Sequence, residues 1–181
     1  MMSSVRTHSP RRRFSVRRAF YGLWLLSLAG CATAFEHTVC TSADRSRLWT
    51  VWTDVEAWPT WDTELESASL DGAFEVGSKG LLKPKDGPSS RFELVAVEAE
   101  EGYTYDVGLP LAHLRVARSS TEAEGAIEIT HRVSFQGVLG WFFAAILMGR
   151  YEQALPGVME ALVAEAEAGS SGRSGCAEPQ R

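Results

Sequence analysis

Apolar and polar residues alternate most regularly between Ile127 and Phe135. Ile127, Ile129, His131, Val133 and Phe135 share one face, and Glu128, Thr130, Arg132 and Ser134 take the other. A period of two with one apolar face predicts a half-buried antiparallel strand, here over 125–135. Strand-like runs also fall near 78–84, 90–98, 102–109 and 111–118. They are punctuated by Asp86-Gly87-Pro88, Glu101-Gly102, Leu109-Pro110 and Glu124-Gly125, which is the pattern of a hairpin meander. Two shorter strands are expected at Glu36–Thr41 and Leu65–Leu70, the second closed by an Asp71-Gly72 turn. Between them the period lengthens. Ser42 or Asp44 can cap a helix that places Leu48, Val51 and Trp52 on one face, and Pro59 should end helical structure. From Trp141 to Ala168 a stripe of Phe143, Leu147, Tyr151, Leu155, Met159 and Leu162 predicts one long helix, with a kink expected at Pro156. The order is strand, helices, six strands, long helix. That is an α+β domain without internal repeats.

Composition supports one globular domain of ordinary character: 181 residues, 45% apolar and 23% charged. Charge is unevenly spread. Six of the 18 basic residues lie within residues 1–30, which hold no acid, so the rest carries 12 bases against 23 acids, a net of −11. Such a body repels nucleic acid, which argues against a DNA or RNA partner.

The basic start leads into Ala19–Ala29, an apolar run too short to span a bilayer comfortably, and then Leu28-Ala29-Gly30-Cys31. A charged region, a short apolar core and small residues make a secretory signal. The last four residues resemble a bacterial lipobox, which implies a lipid on the Cys31 sulfur and a chain cleaved before it. Residues 1–31 are therefore expected to be a signal with lipidation at Cys31. Alternatives are a wrongly assigned start codon, which would leave a cytoplasmic protein, and an uncleaved or non-lipidated signal. Arg11-Arg12-Arg13-Phe14 resembles a twin-arginine signal, but Pro10 and the Arg17-Arg18 pair depart from that pattern, so general secretion is preferred. The domain is expected over 35–168 and a disordered polar tail over 169–181. Ala32-Thr33-Ala34 would span only about 10 Å fully extended, so a lipid anchor would hold the domain against the outer face of the cytoplasmic membrane or at the outer membrane. Cys40 and Cys176 could pair in an oxidising compartment, but Cys40 in a strand and Cys176 in a Ser/Gly tail read better as two free thiols.

Several words of the sequence resemble the START-like superfamily, which includes polyketide cyclases and lipid-transfer proteins. They are Leu48-Trp49 leading to Thr53-Asp54-Val55, then Trp58-Pro59-Thr60-Trp61-Asp62, Leu70-Asp71-Gly72-Ala73-Phe74, Gly77-Ser78-Lys79-Gly80, and Thr130-His131-Arg132-Val133 ahead of Phe135-Gln136-Gly137. The resemblance implies a helix-grip fold, in which a curved seven-stranded antiparallel sheet wraps a long C-terminal helix around a cavity. It further implies that two short helices after the first strand close one end, with Asp54 ending the first.

On that frame the strand parity gives a cavity wall of Ile129, His131 and Val133, then Leu114, Val116 and Arg118, then Tyr103, Tyr105 and Val107, with Phe92 and Leu94 earlier and Leu155 and Met159 from the helix. Trp58 and Trp61 are either core packing or ligand contacts. His131 is the one nearby group that titrates around neutrality, so it is either a general acid or base or a core histidine bonded to backbone. Arg118 either holds an anionic head group or marks a strand end and reaches water. Tyr105 could orient a ligand oxygen or simply fill the core. The run Val138–Met148 reads as core packing, with a lid or membrane contact as alternatives. No paired carboxylates, nucleophile–base pair or phosphate loop is present. No metal and no cofactor is expected, since His8, His37 and His113 show no ligand spacing with His131. The expected function is binding or transfer of a hydrophobic small molecule or lipid by a membrane-tethered lipoprotein. The competing classes are a cyclase or dehydratase using His131 with Tyr105 or Arg118, and an interaction module whose hollow is filled by side chains.

Overall fold

The computed structural model describes residues 33–169 apart from residue 124. The expected signal, Cys31, Cys176 and all but the first residue of the expected tail lie outside the described residues. Seven strands form one antiparallel sheet: β1 (Thr33–Thr41), β2 (Leu65–Asp71), β3 (Lys79–Pro84), β4 (Ser90–Glu98), β5 (Gly102–Leu109), β6 (Ala112–Ala123) and β7 (Ala126–Gly137). Their spatial order is β1-β7-β6-β5-β4-β3-β2, so the chain's first strand pairs with its last. Helix α1 (Arg45–Thr53) and a 3₁₀ helix (Val55–Thr60) follow β1, and α2 (Gly140–Glu167) ends the fold. This is the helix-grip arrangement, α+β, with α2 lying against β1 and β7.

Several boundaries differ from the sequence expectation, each for a physical reason. β1 starts at Thr33, because its ladder with β7 begins at Thr33↔Phe135. β6 continues to Ala123, since Ser119–Ala123 keep pairing with β7 although they lack apolar alternation. α1 stops at Thr53, well before Pro59. The Thr50 and Thr53 hydroxyls donate back to the Ser46 and Trp49 carbonyls, a pattern that competes with helix continuation. Pro59 then sits inside the 3₁₀ helix rather than ending it. α2 runs unbroken through Pro156. Cys40 is disulfide-bonded, with a partner outside the described residues, which corrects the expectation of a free thiol. The geometry explains why. Glu167, at the end of α2, accepts hydrogen bonds from the Thr41 hydroxyl and from the Ser42 amide and hydroxyl, so the chain leaves α2 right beside Cys40.

The register sorts the molecule into two ends. At one lie the start of β1, the β3–β4 hairpin, the β5–β6 turn and the start of α2. At the other lie α1, the 3₁₀ helix, the β4–β5 turn and the end of α2. Two glycines permit close approaches. A Cβ on Gly80 would lie 2.3 Å from the Phe92 ring. Gly137, at φ +94°, turns the chain from β7 toward α2 against Leu111.

Glu167 is the only acceptor for three donors from the β1–α1 corner, and these bonds hold its carboxyl below the usual carboxylate range, the Ser42 amide foremost. Glu167→Gln should lower stability by about 1–2 kcal/mol at neutral pH. The loss is expected to shrink toward zero in acid, where the carboxylate protonates and loses its advantage over the amide. Urea midpoints of both proteins across pH measure this.

Candidate functional site

The site is built around Arg118, which β6 carries into the interior at 2% exposure. Its neighbours in the sheet are fixed by register, Tyr103 across β5 and His131 across β7. The Arg118 Nε–H donates to His131 Nδ1 at 3.2 Å, Nη1 donates to the Tyr103 hydroxyl, and Nη2 meets Asp62 Oδ2 at 3.4 Å. Four rings surround the guanidinium carbon: Trp61 at 4.7 Å, Trp58 at 5.3 Å, Tyr103 at 5.5 Å and Tyr105 at 5.8 Å. A desolvated cation gains from aromatic faces at such distances. The Trp58 indole N–H donates to the Trp52 carbonyl at 2.9 Å, which pins the corner after α1 beneath the sheet.

Above Arg118, between the sheet and α2, lies a cavity of about 290 Å³ that opens at the β3–β4 hairpin. Its wall is mainly aliphatic, from Leu65, Leu82, Val107, Leu114, Val116, Val133, Leu155 and Val158, and its polar groups include Arg118, Asp62, His131, Tyr105 and Tyr151. At the mouth, Arg150 of α2 bridges Glu64 at 2.9 Å and Asp86 at 3.1 Å.

Of the residues expected in the wall, Tyr105, Leu114, Val116, Arg118, His131 and Leu155 do line the cavity. Trp58, Trp61, Phe92, Leu94, Tyr103, Ile129 and Met159 do not. They are buried in solid core. Strand parity gives the face a side chain takes, and Phe92, Leu94, Tyr103 and Ile129 all face inward as expected. It does not give depth. Ile129 lies on the far side of the Arg118 level, where the indoles fill the interior, whereas Leu94 sits opposite the lining residue Tyr105 but is itself fully buried, and Phe92 is covered by Trp58 at 5.8 Å between ring centroids. The two tryptophans bracketing Pro59 are thus packing, and specifically the cage of a buried cation. Arg118 does not reach water. Asp62 and Tyr151 are among the polar wall residues that the sequence reading missed, with Glu64, Asp86, Ser90 and Arg150 nearer the mouth. Asp62 stood in the Trp58–Asp62 word, and Tyr151 was on the apolar stripe of α2, so both were visible but had no assigned side.

The electrostatics follow from burial. His131 is held well below the usual 6.5, first by desolvation and then by the Arg118 and His37 charges. Its Nδ1 accepts from Arg118, so the proton sits on Nε2 and the ring is a neutral donor. A histidine whose lone pair is occupied is unsuited to act as general base. Burial pushes the Asp62 carboxyl up, and Arg118 only partly offsets this. Burial also raises Tyr105 and raises Tyr151 to about 12, so both phenols keep their protons, and neither hydroxyl has a partner among the described residues. Arg118 stays charged: burial opposes the charge, but Tyr103, Tyr105 and Asp62 together outweigh it. Three of its five N–H protons are used by the bonds above, leaving two uncommitted on a residue that lines the cavity. The cavity floor therefore combines the donors of Arg118, His131 and Tyr105 with the Asp62 carboxyl. Among the described residues no group of His, Cys, Asp or Glu could hold a metal, and no helix is long and apolar enough to cross a membrane.

An antiparallel sheet gripping a long helix around a partly polar hollow defines a ligand-cavity fold. Residues 32–167 match the family of polyketide cyclases/dehydrases and lipid transport proteins, and the chain belongs to that family. Its fold is similar to that of Ara h 8.0201, at TM-score 0.57 and 16% identity over 76% of this chain and 99% of the other. It is also similar to norcoclaurine synthase from Thalictrum flavum, at 0.59 and 13% over 77% and 89%. The di-domain aromatase/cyclase StfQ of the steffimycin biosynthetic pathway is similar at 0.61 and 13%, over 76% of this chain and 51% of that one. No curated protein matches the sequence.

Because the folded state resists protonating His131 while the unfolded chain accepts a proton near pH 6.5, acid should destabilise the fold. Stability should fall as pH drops from 6.5 toward about 5, by up to ~1.4 kcal/mol per unit. In His131→Gln that slope should largely vanish. Thermal midpoints of both proteins across the range measure it, and equal slopes would remove the assignment.

Proposed function

We propose that the protein binds a hydrophobic small molecule with an acceptor oxygen at one end, the apolar part in the cavity and the oxygen on the Arg118 floor. The observation that carries this reading is the pair of uncommitted N–H protons on Arg118, which lines the inner end of a mainly aliphatic hollow. Apolar area supplies affinity, and a few convergent polar groups set orientation. The volume lies at the low end for ligand pockets, which suits one chain or a small ring system rather than two acyl chains. Titration calorimetry with decanoate and decylamine tests the reading. Decanoate should bind, decylamine more weakly. Arg118→Met should weaken decanoate by roughly tenfold or more, the worth of a charge-assisted hydrogen bond. Ala154→Phe, which fills the hollow from α2 without touching Arg118, should abolish binding while leaving the fold intact. Decylamine binding as well as decanoate would overturn the head-group assignment.

A catalytic reading is favoured by one observation, the buried Asp62 carboxyl facing the cavity with its acidity lowered, near the unpartnered Tyr105 hydroxyl. A cyclase or dehydratase on this floor would draw its proton transfer from Asp62 rather than from His131.

The anchored state of the chain is part of the same proposal: a bacterial lipoprotein, acylated at Cys31 and held at the cell envelope. The disulfide at Cys40 supports an oxidising compartment, and so export. Cys31 is not a suitable partner for that bond. β1 carries the chain seven residues, about 23 Å, from Thr33 to Cys40, whereas bridged Cα atoms lie within about 7 Å. Mass spectrometry of non-reduced peptides from the native membrane should show Cys40 joined to Cys176 and Cys31 acylated. An unmodified residue 31 in the purified protein would end the lipoprotein reading.

A further inference from the structure

α2 is apolar on both sides at its start. Inward, Leu147, Tyr151 and Leu155 line the cavity. Outward, the first turns expose Trp141 at 67%, Phe142 at 44% and Ile146 at 60%, joined by Val138 at 75% and Leu111 at 73% from the neighbouring turns. Further along the helix the outward positions change to Glu152, Gln153 and Glu160. Helices that only pack on a core keep a polar outer face throughout, and a clustered apolar exposure of this kind marks an interaction site. This corrects the reading of Val138–Met148 as core: only part of that run is buried.

We propose that this apolar rim seats in a lipid bilayer, with the cavity mouth held at the membrane surface. Three observations select lipid. The patch, the cavity mouth and the point where the chain enters β1 all lie at the same end, since Thr33 pairs with Phe135 two residues before Gly137 and Leu139 donates to the Leu111 carbonyl. The 32 residues before β1 include the apolar run Ala19–Ala29 and Cys31, so any anchor there delivers this end to the membrane first. The exposed side chains also combine an indole with aliphatics, the mixture that settles at the boundary between head groups and acyl chains. With 12 bases against 23 acids after residue 30, the docking body gains nothing from anionic lipid, so docking should be apolar in character, insensitive to salt and strongest on zwitterionic membranes.

The inference extends the cavity-binding reading, and the two fail separately. In a Trp24→Phe background, which removes the indole of the apolar run Ala19–Ala29, the full-length protein reconstituted in phosphatidylcholine vesicles containing brominated acyl chains should show quenching of tryptophan emission that disappears when Trp141→Phe is added. Ile146→Glu should reduce the quenching to the same level, while decanoate affinity in both variants stays at the wild-type value. Absence of decanoate binding in the wild type would end the cavity reading and leave the docking result standing. Quenching in that background identical with and without Trp141→Phe would overturn the docking proposal. So would a dimer that Ile146→Glu converts to monomer with Trp141 unquenched, because the rim would then be a contact between two copies of the chain.

Discussion

A full positive charge at the centre of a small β-sheet is the constraint from which the rest of the architecture follows. Moving an isolated guanidinium out of water costs several kcal/mol even after the protein relaxes, so Arg118 is tenable only with its partners in place. Those partners come from every side: Tyr103 from β5, His131 from β7, Asp62 and two indoles from the corner after α1. The strands on either side of β6 and the 3₁₀ corner therefore have to be assembled together for any of them to be stable. Arginine suits the position better than lysine would, because a planar, weakly hydrated fork can lie among ring faces and still direct N–H groups in three directions.

This cage also divides the interior. On one side of Arg118 the space between sheet and helix is filled by Trp52, Trp58, Ile129, Met159 and Leu162, all fully buried. On the other side the side chains are mostly single aliphatics that do not meet across the gap, and the cavity results. The solid half supplies the rigidity that the hollow half lacks. At the boundary the apolar cavity ends on polar groups held in position by the packed half.

The sequence made some of this legible and not the rest. Alternation along 127–135 identified β7 and its inward face, and the stripe from Phe143 to Leu162 identified α2, because periodicity reports directly on which side of an element is buried. The inward set Tyr105, Leu114, Val116, Arg118 and His131 was readable for the same reason. Periodicity is silent on how far down the hollow a residue lies, so Trp58, Trp61, Phe92, Leu94, Ile129 and Met159 were placed in the wall when they are core. Asp62 was hidden differently. A carboxylate beside tryptophans in a turn looks like solvent-facing punctuation until the fold brings Arg118, 56 residues away in sequence, against it. The approach of the end of α2 to Cys40 is hidden by the same kind of distance, since it shows only in the docking of Glu167 and Glu165 on Thr41, Ser42 and Arg47.

The empty cage is also less than fully satisfied, and that bears on what the cavity is for. Arg118 meets Asp62 through a single contact at 3.4 Å, long for a charge-assisted bond and far from the paired geometry that Arg115 makes with Asp106 at 2.7 and 2.8 Å on the sheet surface. A buried carboxyl that only partly compensates its cation leaves the guanidinium with attraction to spare. An acceptor oxygen arriving down the aliphatic channel would use the remaining N–H protons, and the neutral Nε2–H of His131 and the Tyr105 hydroxyl lie in the same wall to share it. The Trp52 and Trp61 indole N–H groups below also lack partners among the described residues, but the floor is where unmet donors meet a cavity of this size. Its geometry makes sense as one half of a contact whose other half is a guest.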